Sequence, residues 1–185
     1  MKLVLASASP RRKQLLDLFG LTFDIITADV DERRIDESPA DMTIRLAVLK
    51  AQTVYESAGP DVQVLGGDTT VALGNTVFGK PANRDEAIEM LNMLSAKTHS
   101  VFSAVALARS SGCNSLLSET RVTFRELSDA DIAAYCDSGD PYDKAGGYGI
   151  QGGAGSFVTA IAGSYSGVVG LPLWHTHQLL IMPNE

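Results

Sequence analysis

Lys2-Leu3-Val4-Leu5-Ala6-Ser7-Ala8-Ser9-Pro10-Arg11-Arg12-Lys13 compresses a strand, a loop and the first turn of a helix into one run. Residues 2–6 form a short apolar stretch with the length of a buried strand. Ser7-Ala8-Ser9 follows as a loop. A helix is predicted over 10–19. Ser9 is its N-cap, Pro10 stands at the first helical position where a missing N–H costs nothing, and Gly20 stops it.

Downstream, a second helix is predicted over 39–57, with Ser38 and Asp41 at capping-box spacing. Residues 62–65 and 69–73 read as strand, interrupted by Gly66-Gly67-Asp68. Gly74-Asn75 reads as a two-residue hairpin turn into a strand at 76–78. A third helix is capped by Asn83 to Glu86 and ends near Leu94. Alternation over 100–108 and 119–125 predicts antiparallel strands joined through Ser110-Ser111-Gly112. A short helix opens at Ser128 and stops at Gly139. A glycine-dense loop covers 144–155, a strand 156–162, and Val168-Val169 lead to a closing helix over 172–181. Helices and strands alternate first and strands then cluster, which predicts an α/β fold with a mixed sheet.

The chain has 185 residues, 45% of them hydrophobic, with a mean hydropathy of +0.07. That suffices for one or two compact lobes and excludes a disordered chain. No stretch approaches the roughly 18–20 apolar residues of a membrane helix. Residues 3–8 mimic a signal peptide but fall short of its ~7–15-residue apolar part. A soluble, cytoplasmic protein is therefore expected. Fifteen basic against 22 acidic residues give a net charge of −7, which argues against nucleic acid as partner. An anionic ligand must instead meet a local basic pocket. Cys113 and Cys136 form no CxxC motif and are expected as unpaired thiols.

Several motif matches fail on context. Gly147-Tyr148-Gly149-Ile150-Gln151-Gly152 spells G-x-G-x-x-G, but a loop precedes it and a strand follows. Gly74 to Lys80 has phosphate-loop spacing, yet Pro81 stands where a hydroxyl must hold magnesium. Gly163-Ser164-Tyr165-Ser166-Gly167 has tyrosine at the nucleophile position. His175 and His177 are two apart on a helix and face different ways.

Other residues carry chemistry. Arg11, Arg12 and Lys13 occupy the first helical turn, where the macrodipole disfavours cations. They fit either a solvated basic turn or an anion held at the helix N-terminus with Ser7 and Ser9. Asp68 fits either an ordinary turn or a ligand site at a strand end, where Gly66 and Gly67 allow close approach. Lys50 lies beside the apolar stripe of its helix, either snorkelling to water or reaching a phosphate. Lys80 and Lys144 sit in turn-rich segments suited to a cleft. Together these features fit a polyphosphate–metal site.

The motifs Ser7-Ala8-Ser9-Pro10-Arg11-Arg12, Asp31-Glu32, Arg45-Leu46-Ala47, Gly67-Asp68-Thr69, Gly79-Lys80-Pro81, the run from Asp143 to Gly152 and Val169-Gly170-Leu171-Pro172-Leu173 stand in a recognisable order. Across the whole chain they resemble the Maf family of nucleoside triphosphate pyrophosphatases. The resemblance implies one Maf domain over 1–185, an elongated two-lobed mixed sheet flanked by helices with a central cleft, related to the inosine triphosphate pyrophosphatases. It implies hydrolysis of dTTP and UTP to monophosphate and pyrophosphate with Mg2+ or Mn2+. Arg12, Thr69 and Gln151 match the specificity positions of the dTTP/UTP branch, and nothing matches the 7-methyl-GTP branch. Gly67 departs from the alanine many members carry there.

On that resemblance Asp68 is expected as general base and metal contact, with Glu32 as a second acidic participant. Ser7, Ser9, Arg11, Arg12, Lys50, Lys80 and Lys144 are expected to hold phosphates, and Thr69 and Gln151 to read the base. A homodimer is expected from the family. Family members are associated with septum inhibition, so a non-catalytic nucleotide sensor is the competing class.

Overall fold

The computed structural model describes residues 2–181. Seven strands among them form one mixed sheet in the order β2-β1-β3-β5-β6-β7, with β4 also on β3. The strands are β1 (Lys2–Ala6), β2 (Phe23–Ile25), β3 (Val62–Leu73), β4 (Thr76–Phe78), β5 (Thr98–Arg109), β6 (Gly112–Phe124) and β7 (Val158–Ala162). The helices are α1 (Pro10–Asp17), α2 (Pro39–Ala58), α3 (Arg84–Leu94), α4 (Asp129–Asp137), α5 (Tyr165–Val169) and α6 (Leu173–Ile181). Strand β1 runs parallel to both β2 and β3, whereas the other pairings are antiparallel. The predicted α/β class and mixed sheet are what the chain forms. No helix among the described residues is long and apolar enough to cross a membrane.

Helix starts follow the predicted caps. Ser9 Oγ accepts from Arg12 N, Ser38 Oγ from Asp41 N and Asn83 Oδ1 from Glu86 N. The Asp41 carboxylate takes the Ser38 hydroxyl at 2.7 Å, whereas the reciprocal capping box forms at Ser128 and Asp131.

Three long strands carry the fold, and two of them correct the sequence reading. Gly66-Gly67-Asp68 does not interrupt β3, which runs unbroken through it. Strand β6 begins directly at Gly112 rather than near Glu119. The edge strand β2 and the short helix α5 were not foreseen. Strand β2, Phe23-Asp24-Ile25, alternates apolar and polar but is only three residues long, below the roughly 4–8 residues that mark a strand in sequence.

One sheet face is lined by small residues, Ala6, Val64, Ala104, Ala106 and Ala108, against Ala47, Ala51 and Val54 of α2. This lets α2 lie close to the sheet. A Cβ on Gly66 would sit 2.8 Å from Ala51 N and 2.9 Å from Ala51 Cβ. On the other face, Leu65, Val105 and Leu107 pack with Leu15 and Leu16 of α1, Val169 and Leu179. Farther along that face, Val71, Val101, Val122 and Phe124 pack with Leu91 and Leu94 of α3 and Ile132 of α4.

The sheet pairing leaves a gap that positions everything below. One edge of β3 is paired with β5 from Val64 to Ala72. The other edge meets β1 only as far as Gly66 and β4 only from Val71 onward. Gly67-Asp68-Thr69-Thr70 therefore has an open edge in the middle of the sheet, where the chain leaves β1 for α1.

Candidate active site

At this gap lies a cleft of about 840 Å³, lined by the 6–12 turn, the middle of β3, Gly79-Lys80, residues of 140–152 and the 168–170 segment. Successive β3 side chains point to opposite faces. Asp68 faces the α2 side, and Thr69 faces the α1 and α5 side.

On the α2 face, Asp68 is 8% exposed and Lys50 9%. Lys50 Nζ donates to Asp68 Oδ1 at 2.7 Å and lies 2.6 Å from Glu32 Oε1. Lys50 therefore does not snorkel to water. A buried carboxylate needs such a partner, and the pairing explains how Asp68 is tolerated inside a strand. Partial burial pushes the Glu32 carboxyl up, but Lys50, Lys80 and Arg12 outweigh it and hold it below its ordinary value. Lys80 itself is exposed at the rim.

Across the strand, Arg12 is fastened at three points. Nε donates to Gly170 O at 2.9 Å, Nη1 to Ser7 Oγ at 3.2 Å and Nη2 to Thr69 Oγ1 at 3.2 Å. Three of a guanidinium's five N–H groups are thus committed, and the rest remain for a ligand. Burial lowers the Arg12 pKa, opposed by the charge on Asp68. Ser7 Oγ also accepts from Ser9 N, and Ser9 Oγ caps α1, so both hydroxyls have protein partners.

The far wall brings partners that sequence reasoning missed. Arg11 Nη1 donates to Asp143 Oδ2 at 2.8 Å, and Lys144 Nζ donates to Asp143 Oδ1 at 2.6 Å and Asp140 Oδ1 at 3.1 Å. Burial pushes the Asp143 carboxyl up, but Lys144 and Arg11 prevail and hold it down to about 2. Asp143 was quoted within a motif, yet no local pattern marks it as the partner of a residue 132 positions away. Gln151 is exposed on the same wall. The structure thus gathers Ser7, Ser9, Arg11, Arg12, Glu32, Lys50, Asp68, Thr69, Lys80, Lys144 and Gln151 around one cleft.

His99 lies beside this wall, 2% exposed. Its Nε2 bonds Tyr148 Oη at 2.7 Å, and its ring meets Phe124 and Tyr148 edge-on. Its Nδ1 is buried without a partner among the described residues, and desolvation lowers the pKa to about 4. His177 is exposed and His175 partly buried, in keeping with side chains that face different ways.

The family model for Maf-like proteins matches residues 2–182. The chain belongs to the Maf-like family. Among Maf relatives, the dTTP/UTP pyrophosphatase of Hahella chejuensis is 50% identical over 97% of this chain and 90% of that protein. The dTTP/UTP pyrophosphatase of Pseudoalteromonas translucida is also 50% identical, over 95% of this chain and 94% of its own. Among solved structures, a HAM1 protein from Coxiella burnetii overlaps 67% of this chain and 73% of that one, at 16% identity and a TM-score of 0.48.

Proposed function

We propose that this Maf-like protein hydrolyses dTTP and UTP to the monophosphate and pyrophosphate, adding water across the α–β anhydride. The observation that carries the reading is the Asp68–Lys50 pair, buried yet opening on a cleft whose other face holds Arg12. Lys50 occupies Oδ1 of Asp68, so Oδ2 is the atom that takes the proton of the attacking water. The Lys50 ammonium holds the Asp68 carboxylate in register.

Two carboxylates, Asp68 and Glu32, converge on Lys50. No group of three or more His, Cys, Asp or Glu residues stands ready to hold a metal among the described residues. Asp68 and Glu32 would hold Mg2+ or Mn2+, hard cations that take carboxylate oxygens. When bound, the metal neutralises charge on the phosphate oxygens. The protein's own part is positioning and electrostatics. Arg11, Lys80 and Lys144 neutralise the triphosphate, Ser7 and Ser9 shape the turn beneath it, and Arg12 with Gln151 reads the pyrimidine. Thr69 acts by holding Arg12. The two halves of the sheet serve as lobes of one domain acting on a cytoplasmic nucleotide pool.

The test is pyrophosphate release from dTTP, UTP, CTP, GTP and 7-methyl-GTP with Mg2+ or Mn2+, for the wild type and Asp68→Asn. Release from dTTP and UTP, lost in Asp68→Asn while calorimetry still shows nucleotide binding, is the expected result. Binding without release from any nucleotide in the wild type would favour a nucleotide sensor.

A further inference from the structure

On the α1 and α5 face, β5 reads Val101, Ser103, Val105 and Leu107, so one hydroxyl interrupts an apolar row. Ser103 is 0% exposed. It stands directly opposite Thr69 of β3, between the two apolar clusters of that face. Packing alone favours an apolar residue here, because burying a hydroxyl costs free energy unless it is hydrogen-bonded. The partner of Ser103 Oγ is Thr69 Oγ1, at 2.8 Å.

The donor inventory fixes the direction of the bond to Arg12. Arg12 Nη2 can only donate, so Thr69 Oγ1 must accept from it. The single Thr69 proton has to go elsewhere. It has two acceptors within reach: Ser103 Oγ at 2.8 Å, in a bond where either oxygen can donate, and Gly170 O at 3.5 Å. We propose that Ser103 is a specificity-positioning residue: its buried hydroxyl bonds Thr69 Oγ1 and so holds that oxygen in place as the acceptor that orients Arg12. Ser103 touches no substrate and acts through Thr69. This rests on the reading of Arg12 as a nucleotide contact. It leaves the Asp68–Lys50 pair, on the opposite face of β3, untouched.

The experiment is a double-mutant cycle of Ser103→Ala and Thr69→Val, read by dTTP binding in calorimetry and by KM and kcat for dTTP and CTP. Ser103→Ala in the wild-type background weakens dTTP binding about three- to tenfold, the range of one hydrogen bond. The loss falls on KM rather than kcat and narrows the preference for dTTP over CTP. In the Thr69→Val background Ser103→Ala causes no further loss. Ser103→Cys keeps a weak hydrogen-bonding group in place of the hydroxyl and gives an intermediate loss, so the coupling is readable even if the alanine variant folds poorly. Equal losses in both backgrounds, or a loss confined to melting temperature, overturn the assignment. Wild-type protein that binds dTTP without releasing pyrophosphate removes the enzymatic reading alone, and the binding cycle still reports on Ser103.

Discussion

Gly66 and Gly67 are neighbours in β3, and the structure predicts opposite outcomes for adding a methyl group to each. A Cβ on Gly66 points at α2, at 2.8 Å from Ala51 N and 2.9 Å from Ala51 Cβ, with the Ala47 carbonyl closer still. Non-bonded carbons ordinarily stay about 3.5–4.0 Å apart, so α2 must retreat by about 0.6 Å. Its backbone cannot rotate aside as a side chain can. Overpacking of this kind costs ~1–3 kcal/mol, and the rigid neighbour places Gly66→Ala near ~3 kcal/mol. At about 2–4 °C per kcal/mol for a chain of this size, melting falls by about 6–12 °C. Lys50 lies between Ala47 and Ala51 on the same helix and retreats with it. The 2.7 Å bond to Asp68 then stretches, and turnover falls by about tenfold or more, since ångström-scale misplacement of reacting groups is costly. A Cβ on Gly67 meets Ala104 O and Arg12 Nε at 3.4 Å each, which is ordinary contact. Gly67→Ala also removes freedom from the unfolded chain and stays within about 1 kcal/mol of the wild type. Thermal melts by circular dichroism with parallel pyrophosphate assays measure both. If Gly66→Ala melts with the wild type, or Gly67→Ala costs as much, the close seating of α2 on β3 is not what holds Lys50 on Asp68.

Two more perturbations follow from the titratable groups. His99 has its pKa lowered from 6.5 to about 4. The unfolded chain therefore binds its proton first, so this stability is present above about pH 6.5 and is lost as pH falls toward 4, by ~3 kcal/mol. Urea melts at about pH 7 and pH 4.5 should show that drop, and His99→Phe should flatten it; an unchanged slope in the variant would assign the drop to other groups. Asp143 pairs with both Arg11 and Lys144 but its side chain is 61% exposed, so Asp143→Asn changes stability by less than ~1 kcal/mol. It frees Arg11 for phosphate, leaves Lys144 on Asp140, and lowers KM for dTTP a few-fold; a raised KM would mean that Asp143 holds Arg11 in place rather than competing with substrate.

What was legible in advance, and what was not, divides by range. The Ser9, Ser38 and Asn83 caps and the Gly74-Asn75 turn were readable because each is a bond or dihedral within a few residues. Strand β3 was misjudged because Gly66-Gly67-Asp68 are poor strand formers individually. Each residue has a distant reason to be there: α2 requires a glycine at 66, and Lys50 pairs with the carboxylate at 68. The cations of the cleft were visible as residue types. Asp143 and the Gly170 carbonyl, which hold Arg11 and Arg12, come from the other end of the chain and have no local signature.

The sequence alone determined every helix except α5, the caps of α1 to α4, the hairpin and, through the ordered motifs, the Maf-like family. Only the tertiary structure decided where the site lies. It lies where β3 has lost β1 at Gly66 and not yet gained β4 at Val71. Strand register depends on pairing between distant segments, whereas caps and turns are satisfied within a few residues. That register puts Asp68 with Lys50 on one face of the open edge, and Thr69 with Arg12 and Ser103 on the other.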